Sequence, residues 1–484
     1  MTPALPAPPD ARLPDGYAVR LAPGTRPVED GTALLGGSPL RLLRLSPAAR
    51  RLLDGDRLTV ADARTAALAA RLLDAGVAVP EPAGPAPGPD DVTVVVPVRD
   101  RPDGAARLLA ALRADPPTAG VRVLVVDDGS ADPAALAAAL AAALPPGAAG
   151  AEVLRHARSR GPAAARDTGL RAAATAAVAF LDSDVVPVPG WLDVLLPHLA
   201  DPRLALVAPR VTALPPGRPG WLSAYETAVS ALDMGPVPGP VAPLTGLSYL
   251  PSAALLARRT ALGDGFDERM RVAEDVDLVW RLTAAGWRVR YEPAARVAHE
   301  HPAATGAWLR RRALYGTGAA PLAARHGALV APVVISPWSA AALGLALAGR
   351  GGRVAAAGVL GVATARLAHR LAPAGGRPPY GRAAGLVLRG TAAGARTLAR
   401  SATRHHWPLT VAAAAVSRRA RRAAVAVAAA DAVLGWWPHR GQVGLPRFAA
   451  ARRLEDVAYG AGLWAGALRA RDPRCLLPVR PPAA

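Results

Sequence analysis

Apolar positions change their period several times along the chain, and the changes divide it into three regions. Over residues 13–80, short alternating segments (YAVRL, TALLGG) give way to the helical patterns SPAARRLLDG and TAALAARLLDAG. Each helical pattern starts at Ser-, Asp- or Thr-type capping chemistry and closes at a Gly, so a small α+β module is expected. EPAGPAPGPDD at 81–91 reads as a linker, because its Pro and Gly spacing sustains neither helix nor sheet. At residue 92 the pattern becomes VTVVVPV, an unbroken β-branched run that predicts a strand buried on both faces. VRVLVVDDGS, AEVLRH and AVAFLDSD follow as further strands, separated by the helical stretches RLLAALRA, 133–143 and GPAAARDTGLRAAAT. Strands alternating with helices predict an α/β layer over 92–325, with polar residues gathered at the carboxyl ends of the strands.

The third region, 326–484, predicts a helical domain rich in Ala and Arg. Its first segment, 328–349, carries no charge and is long enough to span a bilayer, but two Pro residues interrupt it. A spanning helix and a buried or interfacial arrangement are both open. If 328–349 and the apolar stretch after RGGR both crossed, RGGR would lie across the membrane from the α/β region, against the positive-inside tendency if that region is cytoplasmic. Later helices such as 383–402 mix Arg with Leu, Val and Ala, which suits an anionic lipid surface or, equally, an ordinary solvated face.

Composition changes this picture in two ways. The formal net charge is +20, every cationic residue is Arg, and the excess is heavy after residue 350. Anionic partners are therefore favoured: donor phosphates, an anionic membrane surface, or nucleic acid. No zinc-finger spacing, RNP-like strand or aromatic-interleaved basic strip accompanies the charge, so no nucleic acid partner is expected. Cys475 is the single cysteine, which excludes an internal disulfide and a cysteine-based metal site and fits the cytoplasm. The first residues lack a basic n-region and an apolar h-region, so no signal peptide is expected.

Candidate chemistry sits where the strands end. In LDSD, Asp182 and Asp184 stand two residues apart after an apolar strand and can address one diphosphate site through a local turn. Such a pair can hold a divalent cation that neutralises phosphate charge. In DDGS, a carboxylate can accept from a base N–H, although a turn with a Ser cap would look the same. In EDVDLVWRLTAAGW, acids open a helix, as capping alone would favour, and one of them could serve as a general base at the rim of a site. WLRRRALYGTG at 308–318 offers Arg either to phosphate or to solvent.

The order VVVPVRD, VVDDGS, GPAAARDTG, FLDSD, TGLSYLPSAALLARR and EDVDLVWRL resembles the family-2 glycosyltransferases of the GT-A fold. The resemblance implies a nucleotide-diphospho-sugar transferase domain flanked by the N-terminal module and the helical C-terminal region. It implies donor contacts at Pro97, Val98, Asp128, Arg166 and Asp182, with Asp167 standing where the family usually has Asn. It implies Asp184 as a ligand to Mg2+ or Mn2+, with His299 as a further ligand, and Asp275 as the base that deprotonates the acceptor hydroxyl. Gly246 and Glu274 would lie on the acceptor side. A base on the face opposite the leaving group gives single displacement with inversion. The flanks resemble a branch of the family whose donor is UDP-glucose, whose acceptor is a peptide-derived redox cofactor or its precursor, and which builds β-1,4-linked glucose. The N-terminal module also resembles small domains that bind precursor peptides. A location in the cytoplasm, at the inner face of the cell membrane, goes with this reading. A membrane polysaccharide or lipid-linked sugar transferase of the same superfamily is the alternative, although the Q-x-x-R-W motif of processive synthases does not appear. A non-catalytic nucleotide-sugar-binding scaffold is the alternative from another class. A dinucleotide oxidoreductase is disfavoured because no G-x-G-x-x-G follows the first strand.

Overall fold

The computed structural model describes residues 3–215, 220–302, 304–373 and 376–480. Contacts group the chain into two compact units, 1–219 with 229–301 and 220–228 with 302–484.

The first unit is built on a nine-stranded mixed sheet. Its strands are β1 (Val92–Val98), β2 (Arg122–Asp127), β3 (Glu152–Arg155), β4 (Ala177–Leu181), β5 (Val185–Pro187), β6 (Leu204–Ala213), β7 (Gly239–Pro240), β8 (Ala254–Arg258) and β9 (Arg288–His299). The spatial order is β5-β9-β6-β8-β4-β1-β2-β3, with β7 paired to β9. Strands β3, β2, β1 and β4 run parallel, whereas β8 is antiparallel to both β4 and β6. This is the α/β GT-A arrangement. The chain leaves β1 toward β2 and β3, then returns to lay β4 on the other side of β1. That reversal makes a crevice outside the carboxyl ends of β1 and β4, where open sheets of this kind bind ligands.

The apolar runs form the strands as their patterns predict. Val92, Val94, Val95, Val96 and Val98 are all buried, as are Ala177 through Leu181. Helices Pro102–Ala114 and Trp191–Leu195 help cover one face through Leu108, Leu109, Leu112, Trp191 and Leu195. At an area term of about 25 cal/mol per Å² of apolar surface, each such side chain contributes roughly 1.5–3 kcal/mol.

The N-terminal residues form a three-stranded antiparallel sheet with Ala18–Leu21 central, a separate three-stranded meander, and helices Pro47–Arg51 and Ala63–Asp74. Ser46 caps the first helix, and Asp62 with Thr65 forms a capping box on the second. Their core, with Tyr17, Leu34, Leu58, Leu72 and Leu73, includes Ala200 from the main sheet's surroundings. Arg288 of β9 seals the contact, donating to Asp74 at 2.7 Å and to Asp201 at 2.9 Å. An extended arm before this module lies along residues 264–287 of the same unit. Ala4 and Asp264 exchange hydrogen bonds at 3.0 and 3.1 Å, and the Trp287 indole donates to Pro6 O at 2.7 Å.

The second unit is helical. Its long helices are Thr305–Thr317, Gly349–Leu371, Tyr380–Arg404, Arg418–Trp436 and Leu445–Ala470. Thr305–Thr317 and Leu445–Ala470 pack backbone to backbone, since a Cβ on Gly462 would sit 1.8 Å from Ala313 O. The Arg of WLRRRAL that matters structurally is Arg312, which is buried and donates to Glu226 at 2.5 Å. Neither phosphate nor solvent therefore accounts for it. The uncharged stretch 328–349 does not form one helix: a 3-10 turn at Gly327–Val330 precedes a separate helix, Pro337–Ala346. Among the described residues no helix is long and apolar enough to cross a membrane. Cys475 is buried, and burial pushes its thiol pKa up, so it is a poor nucleophile.

Candidate active site

Arg166 organises the crevice. Helix Pro162–Ala172 carries it to the carboxyl end of β4, where its guanidinium donates to Asp182 at 2.6 Å and to Glu274 at 2.8 Å. One buried side chain thus joins the strand-end acids to the start of helix Glu274–Ala284, across 108 residues of sequence. The Phe266 ring lies beneath the guanidinium, 5.5 Å from its centroid. Burial acts against the charge on Arg166, but Asp182 and Glu274 outweigh it and raise its pKa. Burial in turn raises the pKa of Asp182 and of Glu274, against the lowering effect of Arg166. Neighbouring carboxylates add to the rise, Asp184 for Asp182 and Asp275 for Glu274.

Asp275 is the next residue and points elsewhere. Its Oδ2 accepts from Ser252 N–H at 3.0 Å, and its Oδ1 accepts from Val276 N–H at 2.8 Å. These bonds leave acceptor capacity on a half-buried carboxylate with two oxygens and about four lone-pair positions. Ala273, which caps the helix just before Glu274, has φ of 65°, a left-handed turn that directs the chain into the helix. Leu278 and Leu282 bury the opposite face, which fixes the helix against the sheet.

Asp184 meets different partners from Asp182. Its Oδ1 lies 3.4 Å from His299 Nε2, and its Oδ2 lies 3.3 Å from Arg101. His299 ends β9, which pairs with β5 so that His299 stands opposite Val185. The ring is buried, and its Nδ1 finds no hydrogen-bond partner among the described residues. A carboxylate oxygen and an imidazole nitrogen at this spacing could address a single divalent cation; the carboxylate is the donor type that Mg2+ and Mn2+ prefer, whereas the imidazole favours a transition metal over Mg2+. No group of three His, Cys, Asp or Glu side chains converges among the described residues. The rest of a coordination shell would have to come from a ligand and water, as is usual for Mg2+ at nucleotide sites.

Asp128 has every acceptor position engaged by its own chain. Oδ1 accepts from His156 at 2.7 Å and Arg160 N–H at 2.8 Å, and Oδ2 accepts from Ser159 at 2.7 Å and Gly161 N–H at 2.9 Å. Burial pulls its pKa up, but these donors outweigh burial and hold the carboxyl below its ordinary range. The carboxylate thereby shapes the loop 156–161 that leads into the Arg166 helix. Gly129, with φ of 72°, lets that loop approach, since a Cβ there would lie 2.7 Å from Ser159 N. Pro97 and Val98 end β1 beside it, and Val98 O accepts from Asp128 N–H at 2.8 Å. Gly246 lies in an exposed loop whose N–H donates to Ser38 Oγ of the N-terminal module at 3.0 Å.

Sequence reasoning did not anticipate His156, Ser252 or Phe266. His156 follows a strand directly, a position that marks site residues in such sheets; Ser252 lies within the motif TGLSYLPSAALLARR but is not singled out by it, and Phe266 carries no local signal. Asp167, beside Arg166, is buried and accepts from Phe266 N–H at 2.9 Å. Burial raises its pKa to about 7 from the ordinary 3.8. A carboxyl that binds its proton more tightly in the folded state contributes stability fully below pH 3.8, and loses it as pH rises through 7. Asp167→Asn keeps the carbonyl acceptor and removes the ionisation. The variant is expected to gain on the order of 3–4 kcal/mol at pH 8 and almost nothing at pH 4. Thermal melts across that range test this, and a gain independent of pH would contradict it.

The chain matches the family model for Glycosyl transferase family 2 over residues 93–247, and that for Glycosyl transferase family group 2 over residues 177–371. The pre-mycofactocin glycosyltransferase of Mycobacterium tuberculosis is 46% identical over 477 residues, covering 96% of this chain and 98% of that protein. The succinoglycan biosynthesis protein ExoU of Rhizobium meliloti is 31% identical over 216 residues, 42% of this chain and 60% of that protein. Among solved structures, a mannosyltransferase of Pyrobaculum calidifontis in complex with GDP-Man and Mn2+ is 20% identical with a TM-score of 0.38. That match covers 77% of this chain and 90% of the other, and it is too loose to place any residue.

Proposed function

Because the chain belongs to glycosyltransferase family 2, together with the pre-mycofactocin glycosyltransferase it resembles end to end, we propose that it moves glucose from UDP-glucose to a peptide-derived redox cofactor or its precursor, with inversion, building β-1,4-linked chains. The observation that carries this reading is the Arg166 bridge, which holds Asp182 and Glu274 together at the switch point of the sheet and sets Asp275 beside them. Pro97, Val98 and the Asp128-ordered loop would receive the nucleotide, and Asp182 would meet it from the β4 side. Asp184 and His299 would hold Mg2+ or Mn2+, which when bound supplies positive charge to the leaving diphosphate. Arg101, already on Asp184, adds a second cationic group there. Asp275 takes the proton of the acceptor hydroxyl as that oxygen attacks the anomeric carbon, and the sugar–phosphate bond breaks on the opposite face.

The acceptor side is supported by the Gly246–Ser38 hydrogen bond, which sets the N-terminal module against the loop assigned to the acceptor. That module would present the peptide-derived molecule, with Glu274 fixing the adjacent wall. A location at the inner face of the cell membrane goes with this reading, since nucleotide sugars are cytoplasmic donors. The test is incubation with UDP-glucose, Mg2+ or Mn2+ and the redox-cofactor precursor, read by mass spectrometry. Hexose increments on the precursor are expected. Transfer to a lipid extract with none to the precursor would favour the lipid-linked alternative instead. His299→Ala is expected to weaken Mn2+ binding in the presence of UDP by roughly 10–100-fold, measured by calorimetry. Unchanged metal affinity would remove His299 from the site.

A further inference from the structure

The net charge is not spread over the molecule. The helical unit of residues 220–228 and 302–484 holds 26 Arg against 5 acids, a net of +21, which leaves the sheet unit at −1. Between Glu300 and Asp431 no acidic residue occurs at all. Thirteen Arg in that stretch are exposed, among them Arg350, Arg366, Arg382 and Arg396 on successive helices. Charge of this density and sign selects an anionic partner.

The same helices expose aliphatic side chains, which nucleic acid has no use for. Helices Trp407–Val416 and Arg418–Trp436 form a hairpin turning at Ser417, whose side chain caps the second helix. Trp407–Val416 buries no residue, and Val416 at the turn is 88% exposed, with Val411 at 57%, Leu409 at 56% and Val425 at 64%. Arg418, Arg419, Arg421 and Arg422 stand immediately beyond the exposed Val416, and Trp437 at the far end is exposed with Arg440 over its ring. Apolar side chains, a cluster of Arg and an amphipathic indole on one short hairpin match the interface of a bilayer. No helix among the described residues is fit to cross.

We propose that the helical unit docks on an anionic phospholipid bilayer, with the Trp407–Trp436 hairpin lying in the headgroup–acyl boundary and its Arg cluster on lipid phosphates. A cleft of about 280 Å³, lined by Ile335, Trp338, Leu367, Leu386 and Val387, opens on the same unit and offers an acyl chain an apolar recess. This inference stands apart from the transfer chemistry, because vesicle binding is read without donor or acceptor.

The experiment is co-sedimentation of the full chain with vesicles of phosphatidylcholine alone or mixed with phosphatidylglycerol, alongside a single-stranded RNA homopolymer. Binding only to the phosphatidylglycerol vesicles is expected. Each basic residue near an anionic leaflet changes partition roughly fivefold, so Arg418→Ser with Arg419→Ser should weaken binding by about thirtyfold. Val411→Asp and Val416→Asp, both on exposed positions, should abolish what binding survives in high salt, where charge is screened. Their circular dichroism and melts should match the parent, which separates lost docking from lost folding. Equal binding to neutral vesicles, or RNA binding without vesicle binding, would overturn the proposal. Docking that high salt removes completely, and that the Val variants leave unchanged, would overturn insertion of the hairpin.

Discussion

Asp275→Asn is expected to lower kcat by roughly 10²–10⁴-fold while leaving the affinity for UDP within about twofold. Asn has the shape of Asp and can still accept from Ser252 N–H through its carbonyl oxygen, giving up only the bond from Val276 N–H, so the loop and helix should keep their places. What it cannot do is take a proton from the acceptor. The loss should therefore appear in kcat, with KM for the donor little changed, because the base acts only as the new bond forms. Stopped turnover measured with UDP-glucose and the acceptor, together with UDP titration by calorimetry, separates the two effects. Retained turnover would exclude Asp275 as the base, and lost UDP binding would recast it as a structural residue.

Arg166→Met should have the largest effect on stability. It removes the shared counter-ion of Asp182 and Glu274 and leaves two carboxyls with already raised pKa facing a desolvated crevice. Removing one partner of a buried pair costs about 3–5 kcal/mol. The loss has a pH signature. Without Arg166 both carboxyls bind protons more tightly in the folded state, so the variant should regain stability as pH falls from 8 toward 5. The parent should show a smaller gain over the same range. Chemical denaturation at several pH values tests this. A variant as stable as the parent at pH 8 would mean that the bridge contributes nothing net, and that its purpose is placement alone.

The two variants also mark what the sequence could and could not reveal. β1, β2 and β4 were legible because a β-branched run without polar interruption has few other ways to be buried. Acids at their ends were legible for the same reason: a strand that stops at Asp127, or just before Asp182, must deliver that residue to the sheet's edge. The Arg166 bridge was not legible, because nothing local ties residue 166 to residue 274. It exists only once β4 and helix Glu274–Ala284 are brought to the same end of the sheet. Asp128 shows the opposite limit. Its position at a strand end is plain in the chain, but its saturation by His156, Ser159 and two backbone N–H groups depends on how the following loop folds back. If the nucleotide sits here, Asp128 acts on it through the loop it shapes. In the helical unit, charge content was readable and burial was not: Arg312 looks like its neighbours in sequence and is sealed against Glu226 in the fold.

The arm of residues 3–8 has a consequence for the order in which the fold closes. Pro6 receives the indole of Trp287, and Pro3 receives Arg281, from partners 281 and 278 residues away. These contacts form only once the segment around residues 281–287 is in place. Only then can the arm close against the helix that begins with Glu274 and Asp275. Residues 3–6 thus brace that helix, and a change in that short segment reaches the crevice through Arg281.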